Sequence, residues 1–229
     1  MTLAHPTGTA RVTRALLACG IIASALYVTN DVVGATRYPA YSMLNQAISE
    51  LSAVGAPTTP LWNTLGTLYG LLMLAFAIGV LRIPSSGRAL RATGWMLLAF
   101  SLSGVLWAIF PMHQRGATAN WQDVGHIALS AVSVLLIMAY LAVGAFTLGE
   151  RFRSYSFATM AGLLIAGVVT FTFADEIGAN EPTPWMGLIE RIMIYGYLLW
   201  VAVFAAALLR AGRRIQVGEI ESNPRNTMG

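Results

Sequence analysis

The sequence predicts an all-α fold: a polytopic membrane helix bundle of six transmembrane helices, with one amphipathic interfacial helix on the outer side. Three observations lead there: long apolar runs, arginines gathered between them, and a scarcity of charge elsewhere. Hydrophobic residues make up 56% of the 229 residues and charged residues 10%, whereas about a quarter of a soluble domain is charged. A chain of 229 residues holds roughly six or seven spans of ~20 residues and no sizeable soluble domain. Residues 1–229 therefore read as a single membrane domain. All fourteen cationic side chains are arginine. Eleven fall in four clusters, at 11–14, 82–91, 151–153 and 210–225, while Arg37 and Arg115 stand between clusters and Arg191 lies within a span. Cytoplasmic loops retain Lys and Arg, so each cluster is expected in the cytoplasm, together with both termini.

The spans follow in order: Thr13–Ala35, Leu61–Ile83, Ala89–Met112, Val124–Leu148, Tyr155–Asp175 and Pro184–Leu209. Each is long enough to cross a ~30 Å core. Backbone polar groups inside a bilayer must be satisfied within the segment, which makes these runs helices. The first imitates a signal peptide, with Arg11 and Arg14 ahead of Ala23-Ser24-Ala25, but its apolar stretch continues to Val33. It is expected to remain as a span. Leu16-Leu17-Ala18-Cys19 imitates a lipoprotein site, yet only four apolar residues precede the cysteine. A lone cysteine excludes an intramolecular disulfide and a cysteine-based metal cluster. Pro84 with Ser85-Ser86-Gly87 marks the second turn and Gly149 the fourth, while Pro182 and Pro184 sit at the start of the last helix, where a missing N–H costs little. Gly66 and Gly70 permit close helix approach. The tail 215–229 is polar and expected to be disordered.

The connection Thr36–Pro60 carries its own pattern. Met43, Leu44, Ala47, Ile48, Leu51 and Val54 recur at helical spacing, with Asn45, Gln46, Ser49 and Ser52 opposite. The spacing predicts an amphipathic helix over 42–54, capped by Ser42, lying in the outer interface or folded back onto the bundle. Glu50 falls near the border of the apolar stripe. It either snorkels at the surface or points into the bundle mouth.

Acids divide in the opposite sense to the arginines. Asp31, Glu50, Asp123, Asp175, Glu176, Glu181 and Glu190 fall on the outer side, as do His113 and His126, whereas Glu150, Glu219 and Glu221 fall inside. Orientation does not require this, because Asp and Glu contribute little to it. Asp123, His126, Ser130 and Ser133 form one helical stripe; Ser24, Tyr27 and Asp31 form another; Glu190 and Tyr197 share a third face beside Arg191. Ionisable residues inside a membrane turn from lipid and pair or line a polar cavity. Glu50, Asp123 and His126 are the candidates for catalytic work; Asp31, His113, Ser130, Glu190, Arg191 and Tyr197 are candidates to line a pocket. The plainer alternatives are an acid capping a helix at Asp123 and a structural ion pair at Glu190 and Arg191. His113, Asp123 and His126 are of the types that bind zinc, but no second close histidine accompanies them. No cofactor is predicted. No Ser–His–Asp, phosphate-loop or dinucleotide signature occurs, and orienting arginines account for the net charge of +4 without nucleic acid.

Several segments carry a resemblance. YPAYSMLNQAISELSAVGAP at Tyr38–Pro57, Phe110-Pro111-Met112, DVGHIALS at Asp123–Ser130 and GLIERIMIYGYLLW at Gly187–Trp200, with Asp31 ending the first span, resemble the bacterial integral-membrane family catalogued as domain of unknown function 998. The resemblance covers about residues 13–210. The family implies six or seven spans and no activity. Its members commonly carry an acid after F-P-M, where this chain has His113. A more distant similarity is to membrane hydrolases related to alkaline ceramidases, which hold zinc with residues from several helices and have seven spans and more histidines. The expected protein is thus a bacterial inner-membrane protein with a periplasm-facing polar pocket that binds or acts on a membrane lipid or small amphiphile. The alternative is a non-catalytic structural or partner-binding subunit. Transport is disfavoured by the lack of an internal repeat or broken spans.

Overall fold

The computed structural model describes residues 8–84 and 86–221, with side chains through Gly212. Its helices are α1 (Gly8–Arg37), α2 (Thr59–Leu81), α3 (Arg88–Ser103), α4 (Trp121–Gly144), α5 (Glu150–Phe171), the short α6 (Ala174–Gly178) and α7 (Met186–Glu221). Six segments are long and apolar enough to cross a membrane. The third of them is α3 continued by a 3-10 turn at Gly104–Ala108. His5 and residues 222–229 of the expected tail lie outside the described residues.

Consecutive spans run antiparallel. A Cβ on Gly79, late in α2, would lie 2.9 Å from Leu16 in early α1, while Gly34, late in α1, faces Trp62 in early α2. Gly94 of α3 meets Leu81 of α2, and Gly144 of α4 faces Thr93 of α3 and Trp200 of α7. α7 runs antiparallel to both α1 and α5, with Ala205 against Gly20 and Met193 against Gly167. Small residues at these crossings let the backbones approach without a driving force from water. The core is aromatic: Trp200 stacks on Phe204 at 4.9 Å, Phe152 stacks on Phe204 at 5.6 Å, and Tyr140 and Phe76 are fully buried.

This alternation sorts the charges by end. Early α1, the α2–α3 and α4–α5 turns and late α7 form an arginine-rich end; the 38–58 segment and the α3–α4 and α5–α7 connections form a carboxylate-rich end.

Over 42–54 the helical spacing takes a shorter form than one continuous amphipathic helix. Ser42 starts a single turn, accepting from the N–H of Gln46 at 2.8 Å, and a 3-10 helix follows at Ile48–Ser52. Ala47, Ile48, Leu51 and Ala53 are buried against the bundle end. An α-helix would occupy the peptide groups between these turns. Side chains take them instead: Arg191 donates to the carbonyls of Met43 and Gln46, Tyr41 donates to that of Ala47, and carboxylates accept from the N–H groups of Ala47 and Ile48. Such bonds compete directly with helix formation.

Candidate functional site

At the carboxylate-rich end α1 and α7 face each other, and Asp31 meets Arg191. The contact is bidentate: Arg191 Nε donates to Asp31 Oδ2 at 2.9 Å and Nη2 to Oδ1 at 2.7 Å. Asp31 is 0% exposed and Arg191 4%. Tyr195 donates a further hydrogen bond to Asp31. The outer face of the guanidinium reaches the 38–58 segment, which covers this end of the bundle, through Nη1 to Met43 O at 2.6 Å and Nη2 to the Tyr41 hydroxyl at 2.9 Å. Burial raises the Tyr41 phenol well above its ordinary range, which keeps it protonated as a donor to Ala47 O. Arg191 pairs with Asp31 rather than with its neighbour Glu190, because adjacent positions on a helix do not face a common side.

Glu190 and Glu50 grip the same segment. Glu190 Oε2 accepts from the Ile48 N–H at 2.6 Å. Glu50, 4% exposed, points into the bundle mouth and accepts from the Ala47 N–H at 3.0 Å, Gln46 Nε2 at 2.9 Å and Arg115 Nη2 at 2.8 Å. Arg115 comes from the α3–α4 connection and also donates to Thr183 Oγ1 and to Glu181 O, ahead of α7. Thr183 in turn donates to Asn45 O at 2.6 Å. Gly187 allows the close approach of cover and α7, since a Cβ there would collide with the carbonyl of Gln46 and lie 2.6 Å from that of Met43.

The remaining candidates gather elsewhere. Asp123 is the third residue of α4 and completes a capping box, accepting from the Asn120 N–H at 3.0 Å while Asn120 accepts from the Gln122 N–H at 2.7 Å. It also accepts from the His113 N–H at 2.9 Å and lies 3.1 Å from His113 Nδ1. A carboxylate facing Nδ1 places the ring proton there. The other nitrogen, Nε2, meets Asn120 Nδ2 at 3.4 Å, not a hydroxyl or thiol. His126 turns to the Phe110 carbonyl at 3.0 Å and packs edge-on against Trp107. Ser130 donates back to His126 O within its own helix. Tyr197 lies deeper, its hydroxyl 2.8 Å from that of Tyr69. Among the described residues, no group of three His, Cys, Asp or Glu side chains is placed to hold a metal ion.

Two networks therefore occupy this end. Asp31, Glu50, Glu190 and Arg191 converge around the 38–58 segment; Asp123, His113 and His126 surround the Phe110–His113 turn. Met112 joins them, its carbonyl accepting from the Val54 N–H at 2.8 Å and its sulfur facing the Ser49 hydroxyl. Sequence reasoning missed Arg115, Tyr41, Tyr195, Thr183 and Gly187. For Arg115 a signal existed: it is one of two arginines between the clusters. Above the Glu50–Arg115 pair an open depression of about 400 Å³ is lined by Asn45, Gln46, Arg115, Asn180, Glu181 and Thr183, among others.

The family model described as Protein of unknown function (DUF998) matches residues 21–207, and the chain belongs to this family. No curated protein and no solved structure matches it.

Proposed function

We propose that this integral membrane protein is a non-catalytic recognition subunit of the bacterial inner membrane, with both termini cytoplasmic and its carboxylate-rich end facing the periplasm. The arginine distribution supports that orientation. One observation carries the functional reading: buried Asp31 and Glu50 and half-buried Glu190 are engaged in fixing the 38–58 cover. Asp31 is engaged twice by Arg191, Glu50 accepts from Arg115 and the Ala47 N–H, and Glu190 accepts from the Ile48 N–H. A base or nucleophile needs a lone pair directed at a substrate. Both oxygens of Asp31 and of Glu50, and Oε2 of Glu190, accept instead from backbone N–H, guanidinium, phenol and amide groups of the protein itself. The product of the arrangement is a preorganised surface, which lowers the ordering cost of binding.

A second reading, recognition of a membrane lipid or small amphiphile, is favoured by the ground beside the depression. Leu188 and Ile192 are exposed along one face of α7, Trp185 is exposed in the turn just ahead of it, and the Leu188 N–H bonds the Leu44 carbonyl at the cover's edge. A polar head in the depression would have an apolar track for its tail.

Photo-crosslinking residues at Asn45 and Asn180, both lining the depression, test the two in intact cells. A discrete protein adduct at these positions, lacking with the same residue at lipid-exposed Leu135, is the expected result. Adducts to lipid alone would replace the first reading with the second. No position-specific adduct of either kind would overturn both.

A further inference from the structure

The arginine-rich end holds a feature that the recognition reading does not use. The turn between α2 and α3 and the start of α3 form a depression of about 270 Å³, lined by Leu81, Ile83, Ser86, Arg91 and Trp95. Arg82 sits between two lining residues and Arg88 one turn before Arg91; both are exposed. None of the three arginines makes an ion pair among the described residues. By contrast, Arg153 in the first turn of α5 has Glu150 at 3.5 Å. Gly87 at the N-cap of α3 supplies no side-chain acceptor to the first-turn N–H groups.

Position along the helix adds an argument that charge alone lacks. Arg88, Arg91, Trp95, Ala99 and Leu102 are each three or four residues apart and all exposed, so they form one stripe on the outer face of α3, and exposed Leu106 follows in the 3-10 turn that continues the helix. Read toward the bundle centre, the stripe passes from guanidinium to indole, then to a small methyl and aliphatic side chains. Trp95 is 58% exposed and Leu102 56%. Orientation by arginines requires charge only near the span ends. It does not require that the arginines share a face with an exposed indole and a depression.

We infer that this stripe is a binding site for an anionic phospholipid. The phosphate sits in the depression against Arg91, with Arg88 one turn before it and Arg82 at its edge, and an acyl chain runs past Trp95 over Ala99 and Leu102. Arginine presents paired N–H donors to phosphate oxygens, and basic clusters beside membrane spans attract anionic headgroups. The apolar continuation selects a lipid over a free anion.

The test uses the full chain in a neutral detergent, titrated with phosphatidylglycerol or phosphatidylcholine and read by native mass spectrometry. Phosphatidylglycerol should bind at least roughly tenfold better, the order expected for two or more surface arginines. R88Q/R91Q should remove most of that preference, R88K/R91K should keep most of it, and R151Q/R153Q at the same end should leave it unchanged. W95A should weaken phosphatidylglycerol while leaving its preference over phosphatidylcholine. Equal binding of the two lipids would overturn the inference. So would full displacement of phosphatidylglycerol by millimolar inorganic phosphate, or equal losses in the 88/91 and 151/153 pairs. Should R88Q/R91Q not purify as a folded species, the lysine pair, W95A and R151Q/R153Q still decide the outcome.

Discussion

Asp31 and Arg191 are a fully desolvated pair whose two hydrogen bonds, at 2.7 and 2.9 Å, leave no room for water between them. Burial of two charges is itself costly, so the pair need add little net stability over an apolar substitute. Removing one partner is different. D31N leaves the guanidinium buried with a weaker acceptor and should destabilise the protein by about 3 kcal/mol or more. R191M should cost a similar amount, and it also orphans Met43 O. The double variant D31N/R191M should be less destabilised than the sum of the two single changes. A double-mutant cycle on thermal unfolding in detergent checks this; strict additivity would show that the pair is not coupled. Tyr41 adds to the same point. Its phenol is held protonated by burial, so it remains a donor to Ala47 O throughout the ordinary pH range.

The 38–58 cover shows how an element can be specified by its partners more than by its own period. Its apolar residues have helical spacing, and Ile48 and Leu51 are buried as that spacing expects. Its peptide groups nevertheless bond side chains of α7 and of the cover itself, which breaks the helix into a turn and a 3-10 segment. At Gly187 the cover's backbone passes against α7 with no room for a Cβ. G187A should push the cover away, because the atoms a Cβ meets are backbone carbonyls that cannot rotate aside. The expected loss is roughly 1–3 kcal/mol, accompanied by faster proteolysis between Met43 and Val54. Unchanged protease protection would mean that the cover is held without this contact. G196A, where the nearest atom is 3.7 Å away, is the control.

At the scale of the whole molecule the two ends differ in kind. At the arginine-rich end the α2–α3 connection is a short turn with exposed arginines, and at the carboxylate-rich end the connecting segments are hydrogen-bonded to one another and to α7. With Cys19 replaced by serine, cysteines at Asn180 and Thr118 should react with an impermeant maleimide on intact spheroplasts, and a cysteine at Gly87 should not. All three positions are exposed, so failure to label reports sidedness, not burial. Labelling at position 87 alone would invert the proposed orientation.

The six spans, their antiparallel order and the segregation of charge to opposite ends were legible in the sequence, because hydropathy and helical period are local properties. The cost of exposing charge to hydrocarbon applies separately to Asp31, Glu190 and Arg191 within spans, whereas for Glu50, in the external connection, the sequence left a surface and an inward orientation open. Their partners were not legible. Arg191 finds Asp31 across 160 residues and Arg115 finds Glu50 across 65, and both choices depend on how each helix is rotated about its axis and how closely it is packed. The same holds for Asp123, whose stripe with His126 and Ser130 reflected helix geometry correctly while its carboxylate went to a cap and to His113. Periodicity places a side chain on a face; only the packed bundle decides which donor stands opposite it.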